Sequence, residues 1–76
     1  MNYTEKEKHY ITITENNLLY INGLQPTKQL SIRCYVASGN RVDVLLDGRL
    51  LAGMLTPEEA YYFIFGAISY AEQGGL

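Results

Sequence analysis

An α+β domain is what this sequence predicts: an antiparallel sheet of about five strands, built as a hairpin plus a three-stranded meander, packed on one C-terminal helix. Three observations carry the prediction. Apolar and polar residues alternate through most of the chain before Leu55, the period of half-buried strands. Asp47-Gly48 is the dipeptide of a tight type I′ hairpin turn. Thr56-Pro57-Glu58-Glu59 opens a helix as a capping box, with Thr56 as N-cap, Pro57 in the first helical position and Glu59 reaching back to the cap.

The elements follow in order. Residues 1–8 are polar and include Glu5, Lys6, Glu7 and Lys8, which reads as a flexible arm without the apolar core of a secretory leader. Ile11 and Ile13 then alternate with Tyr10, Thr12 and Thr14. A loop at Glu15-Asn16-Asn17 pairs them with Ile21 and Leu19. That loop, and a second at Ser38-Gly39-Asn40, must hold an odd number of residues to keep the apolar sets on one face. Asn17 and Asn40 then occupy the left-handed position, which asparagine tolerates. The stretch from Gly23 to Gln29, with Pro26, is a connection. In the meander, Leu30, Ile32, Cys34 and Val36 share a face, with Val36 expected opposite Val42 and Cys34 opposite Val44. The Asp47-Gly48 turn sets Val44 opposite Leu51 and Val42 opposite Gly53. The helix runs from Pro57 to Gln73, about 25 Å at 1.5 Å per residue, and Gly74-Gly75 ends it.

At 76 residues the chain has room for a single core, and 47% hydrophobic against 18% charged residues is the balance of a folded domain. Cys34 is the only cysteine, so no intrachain disulfide adds stability and the thiol points to a reducing compartment. Self-association is then the available way to bury more apolar surface. A net charge of −2 offers no attraction to nucleic acid or anionic lipid. No apolar run approaches the roughly 18 residues of a membrane span, and a cytoplasmic location is expected.

Two surfaces remain after the core is filled. On the helix, Ala60, Ile64, Ala67, Ile68 and Ala71 form the inward stripe, flanked by Phe63 and Tyr70. The opposite side carries Tyr62, Phe65, Gly66 and Ser69, with Tyr61 at its border, where charged residues normally stand. Gly66 weakens the helix by about 1 kcal/mol relative to alanine, which invites a packing role. On the outer sheet face, Tyr10, Leu18, Tyr20, Tyr35, Leu45, Leu50 and Met54 are expected among Thr12, Thr14, Arg33, Arg41 and Asp43. Contiguous apolar patches rich in tyrosine and arginine are the composition of partner surfaces.

Catalytic and metal chemistry find no foothold in the sequence. His9 is the only histidine and sits at the start of the first expected strand. Cys34 is expected in the core, where a thiol is inert. One cysteine and one histidine are too few for a zinc site. Glu58 and Glu59 belong to the cap, Asp47 to its turn and Asp43 to a surface strand. No catalytic, metal or cofactor-binding residue is therefore expected.

The strand–turn–strand unit followed by the capped helix resembles the second half of a double-stranded-RNA-binding domain. That family's N-terminal helix is absent from the reading above, and Glu58 and Glu59 stand where its last helix begins with basic residues. The resemblance concerns topology and transfers no functional residue. The expected function is a non-catalytic protein–protein interaction module, a small accessory or regulatory protein that forms a homodimer. In general character it is similar to the acidic accessory proteins of phages and mobile elements. The alternative is single-stranded nucleic-acid binding through Tyr20, Tyr35, Arg33 and Arg41.

Overall fold

A computed structural model describes residues 3–35 and 40–74. In chain order the elements are α1 (Glu5–Leu24), β1 (Leu30–Tyr35), β2 (Arg41–Leu46), β3 (Arg49–Leu55) and α2 (Pro57–Glu72). The fold is α+β with two helices and a three-stranded antiparallel sheet ordered β1-β2-β3, which corrects the expectation of five strands and one helix.

The expected first hairpin is the helix α1. Its start repeats the device that opens α2: the Thr4 hydroxyl accepts the Glu7 N–H at 3.1 Å, and the Glu7 carboxylate accepts the Thr4 N–H at 2.8 Å. Glu5 to Lys8, expected as a loose arm, form the first turn. The buried residues are Thr14, Leu18 and Ile21, spaced by four and three, which is a helical stripe; Thr14 and Leu18, expected on the outer sheet face, are thus turned into the interior. The residues that suggested strands do not share a face: Ile21 is buried, Ile11 and Ile13 are half-buried, and Leu19 is exposed. Strand propensity in Ile11-Thr12-Ile13-Thr14 spans only about 1 kcal/mol per site, less than burying a stripe against another helix provides. Thr14 is compatible with that buried position because its hydroxyl donates to the Tyr10 carbonyl at 2.7 Å.

Both helices lie on one face of the sheet and run in the same direction. Tyr10 meets Tyr61 near their starts, with ring centroids 5.4 Å apart, and the Tyr20 hydroxyl donates to the Glu72 carboxylate near their ends at 2.7 Å. The core between the layers is Leu18, Ile21, Leu30, Val42, Val44, Ala60 and Ile64, with Ile32, Leu46, Ala52, Leu55, Ala67, Ile68 and Ala71 packed around it. The inward stripe of α2 is thus the one the sequence predicts, while Phe63 and Tyr70 at its flanks are exposed. Thr56 caps α2 through the expected box with Glu59.

In the sheet, Asp47 and Gly48 take φ of +53° and +82°, the two left-handed positions of a type I′ turn, and set Leu46 opposite Arg49. Beyond the turn the register slips. Val44 faces Ala52 rather than Leu51, and Val42 faces Leu55 rather than Gly53, because bulges interrupt β3 twice. On the other side Cys34 faces Val42 and Ile32 faces Val44, so β1 and β2 are joined through residues 36–40. The connection is odd, as required by parity, but longer than expected, and Asn40 is left-handed at φ +61°. Val36, Ser38, Gly39 and Gly75 lie outside the described residues. Asn17, expected left-handed in a loop, is inside α1.

Two polar clamps fix the connections. The Asn22 carboxamide donates to the Leu30 carbonyl and accepts the Leu30 N–H, both at 2.8 Å, tying the end of α1 to the start of β1. At the other end of the sheet, the Tyr3 hydroxyl bridges the carbonyls of Tyr35 and Arg41 at 3.0 and 2.9 Å. Among the described residues, no helix is long and apolar enough to cross a membrane.

Candidate functional site

The helix layer presents an aromatic cluster to solvent. Tyr61 is its centre: its ring lies 5.4 Å from Tyr10, 5.0 Å from Tyr62 edge-on and 6.1 Å from Phe65 in a near-parallel stack. Tyr61 is half-buried against α1, which puts it at the border of the exposed face. Tyr62 and Phe65 remain 57% and 54% exposed despite belonging to the cluster. Gly66 and Ser69 are exposed beside them, and a Cβ built on Gly66 would have no neighbour within 4 Å, so the notch is open. All five predicted helix-face residues therefore share one surface. Tyr10 joins it from α1, where sequence reasoning had put it on the sheet. Burial and the nearby Glu58 carboxylate push the Tyr10 hydroxyl above its ordinary pKa.

Between the helix starts lies a shallow hollow of about 200 Å³ lined by Lys6, Glu7, Tyr10, Thr56, Pro57 and Glu58. Glu7 and Thr56 are already engaged in the caps, which leaves Lys6 and Glu58 as the charged groups of its lining not used there. Among the described residues, no group of three or more His, Cys, Asp or Glu side chains is placed to hold a metal ion.

The face of the sheet opposite the helices carries Arg33, Tyr35, Leu45 and Leu50, as the alternation predicts, and Met54 joins them beyond the bulges that break it; Tyr20, like Tyr10, belongs to α1 instead. Asp43 organises this face, which the sequence did not reveal. It is buried, although it reads as an ordinary surface residue of β2. Its carboxylate accepts from the Arg33 guanidinium at 2.8 Å, the Tyr35 hydroxyl at 2.9 Å and the Met54 N–H at 3.0 Å. The Arg33 bond, followed by the Met54 amide, holds its pKa below the usual aspartate value. Met54 reaches the carboxylate by adopting φ +60° at the bulge, a geometry no local motif announces. Tyr35 is raised in turn by burial and by its bond to Asp43. Around this polar knot Leu50 and Met54 are more than half exposed.

Cys34, expected in the core, is exposed. It stands on the outer strand β1, where partial desolvation and the Glu15 carboxylate of α1 raise its pKa. An exposed thiol with a raised pKa is a poor nucleophile.

Comparison with protein-family models, with curated proteins and with solved structures finds no match to this chain. α1 does supply the N-terminal helix missing from the expected likeness to double-stranded-RNA-binding domains. The likeness still ends at element order, because the start of α2 carries Glu58 and Glu59.

Proposed function

We propose that this protein is a non-catalytic protein–protein interaction module and that the aromatic face of its helix layer is the docking surface. The observation that carries the reading is the Tyr10–Tyr61–Phe65–Tyr62 cluster, which leaves rings half exposed next to the open notch at Gly66. Tyrosine and phenylalanine offer large contact area at low conformational cost, and aromatic anchors beside a pocket are the usual centres of binding energy. The fitting partner is a protein segment with an apolar knob for the notch and donors or acceptors for the tyrosine hydroxyls.

Single-strand binding by the sheet face has less support. Arg33 and Tyr35 are held by Asp43 and are not free to neutralise a phosphate or follow a stacked base. The test is affinity capture from the native host with three full-length baits. A protein retained by wild type and by Leu50→Glu, but lost with Tyr62→Glu/Phe65→Glu, is the expected outcome. Equal retention by all three baits would remove the helix face from the proposal.

A further inference from the structure

We infer that two copies of this chain join edge to edge through β1, continuing the sheet across a two-fold axis. The proposal concerns a different surface from the aromatic face and rests on different observations. β1 and β3 are the two edges of the sheet. β3 is a poor template for pairing, because two bulges and the left-handed Met54 break its row of backbone groups. β1 pairs with β2 without a single irregularity, and contains no proline.

The direction of its free groups follows from the hydrogen bonds at its start. The Gln29 carbonyl accepts the Asp47 N–H at 2.8 Å, so residue 29 faces β2. The N–H and C=O of Leu30 are both taken by Asn22, so residue 30 faces outward. Alternation then turns the N–H and C=O of Ile32 and Cys34 outward as well. Among the described residues nothing bonds to them from that side. The Asn22 carboxamide already occupies the first outward position as a strand's peptide group would, and an incoming strand therefore begins at Ile32.

One large apolar side chain of α1 stands beside this edge where the copy would pass. Glu15, Leu19 and Asn22 share one stripe of α1, spaced by four and three residues. Asn22 touches Leu30 and Glu15 acts on Cys34, which places the stripe alongside β1. Leu19 sits between them and is 78% exposed, more than any other large apolar side chain described. An antiparallel two-fold pairing centred on Arg33 sets Ile32 opposite the partner's Cys34 and turns the Leu19 side of each α1 toward its mate. The two-fold contact covers the free backbone edge and the exposed Leu19 of both copies at once, which is why a second copy is the occupant. The two Arg33 side chains meet at the axis, and each is already neutralised by Asp43 of its own chain at 2.8 Å.

Sedimentation of the full chain over the micromolar range tests this. Wild type is expected to dimerise. Cys34→Pro removes an outward N–H without touching the β1–β2 ladder and is expected to give a folded monomer by circular dichroism. Leu19→Glu is expected to weaken the dimer by about tenfold or more, while Gly66→Gln leaves it intact. Hydrogen exchange gives a second reading that does not depend on the proline variant folding: the Ile32 and Cys34 amides should become protected as concentration rises, while Ser31 and Arg33 are protected throughout. A wild-type monomer at high micromolar concentration overturns the inference. So does a dimer with unprotected Ile32 and Cys34 amides, or one abolished by Gly66→Gln but not by Leu19→Glu. Loss of the host partner with the Tyr62→Glu/Phe65→Glu bait leaves these readouts unchanged.

Discussion

Asp43 shows how much one residue can organise in a domain of this size. In the sequence it is the polar member of an alternating strand; in the structure it is buried and ties three strands together through Arg33, Tyr35 and Met54. Because its folded pKa is depressed, its contribution is fully present above the ordinary aspartate value of about 3.9 and drains away as pH falls through the lowered one. Denaturant midpoints taken from neutral pH downward should therefore fall for wild type below about pH 4, and fall less for Asp43→Asn, which starts from lower stability. A variant with an unchanged acid limb would mean that another carboxylate governs the transition. The two capping threonines make a matched pair at the same scale. Thr4→Ala and Thr56→Ala should each destabilise by about 1 kcal/mol, measurable as a shift of urea midpoint at constant slope. A neutral Thr4→Ala would mean that the first turn of α1 frays in solution.

At the scale of elements, what was legible was local. The α2 cap, the Asp47-Gly48 turn, the inward stripe of α2 and the left-handed Asn40 all follow from residues within a few positions of one another. α1 was misread because Ile11-Thr12-Ile13-Thr14 has a period of two and high strand preference. The competing signal was present: Thr4-x-x-Glu7 has the spacing of Thr56-x-x-Glu59, and Thr14, Leu18 and Ile21 repeat at helical intervals. What resolves the conflict is the second helix, a partner about fifty residues away that no window on the sequence contains. The same limit hid the bulges in β3, beside which the Asp43 carboxylate of β2 accepts the Met54 N–H. The candidate residues of the helix face share a surface because they lie on one helix; of those expected on the sheet face, Tyr10 and Tyr20 stand on α1 instead.

For the whole molecule, the helix layer is held together by contacts between α1 and α2, from Tyr10 with Tyr61 to Tyr20 with Glu72. α1 buries its stripe against an element that follows the whole sheet in sequence, and the core between the layers is incomplete until that element is present. A chain ending at Leu55 should consequently lose the helical signal of α1 along with that of α2, and show no cooperative melting by circular dichroism. A truncated chain that kept a stable α1 would mean that the sheet alone suffices to hold it.

The packing of α1 on a helix made only after the sheet also orders events during synthesis. At about 5–20 residues per second, the ribosome finishes α1 seconds before it has made the helix that α1 packs on. Throughout that interval Leu18 and Ile21 have no finished core to enter, and the nascent chain carries an apolar stripe in search of cover. Until α2 has been made, the agent that first meets α1 in a living cell is whatever stands at the tunnel exit.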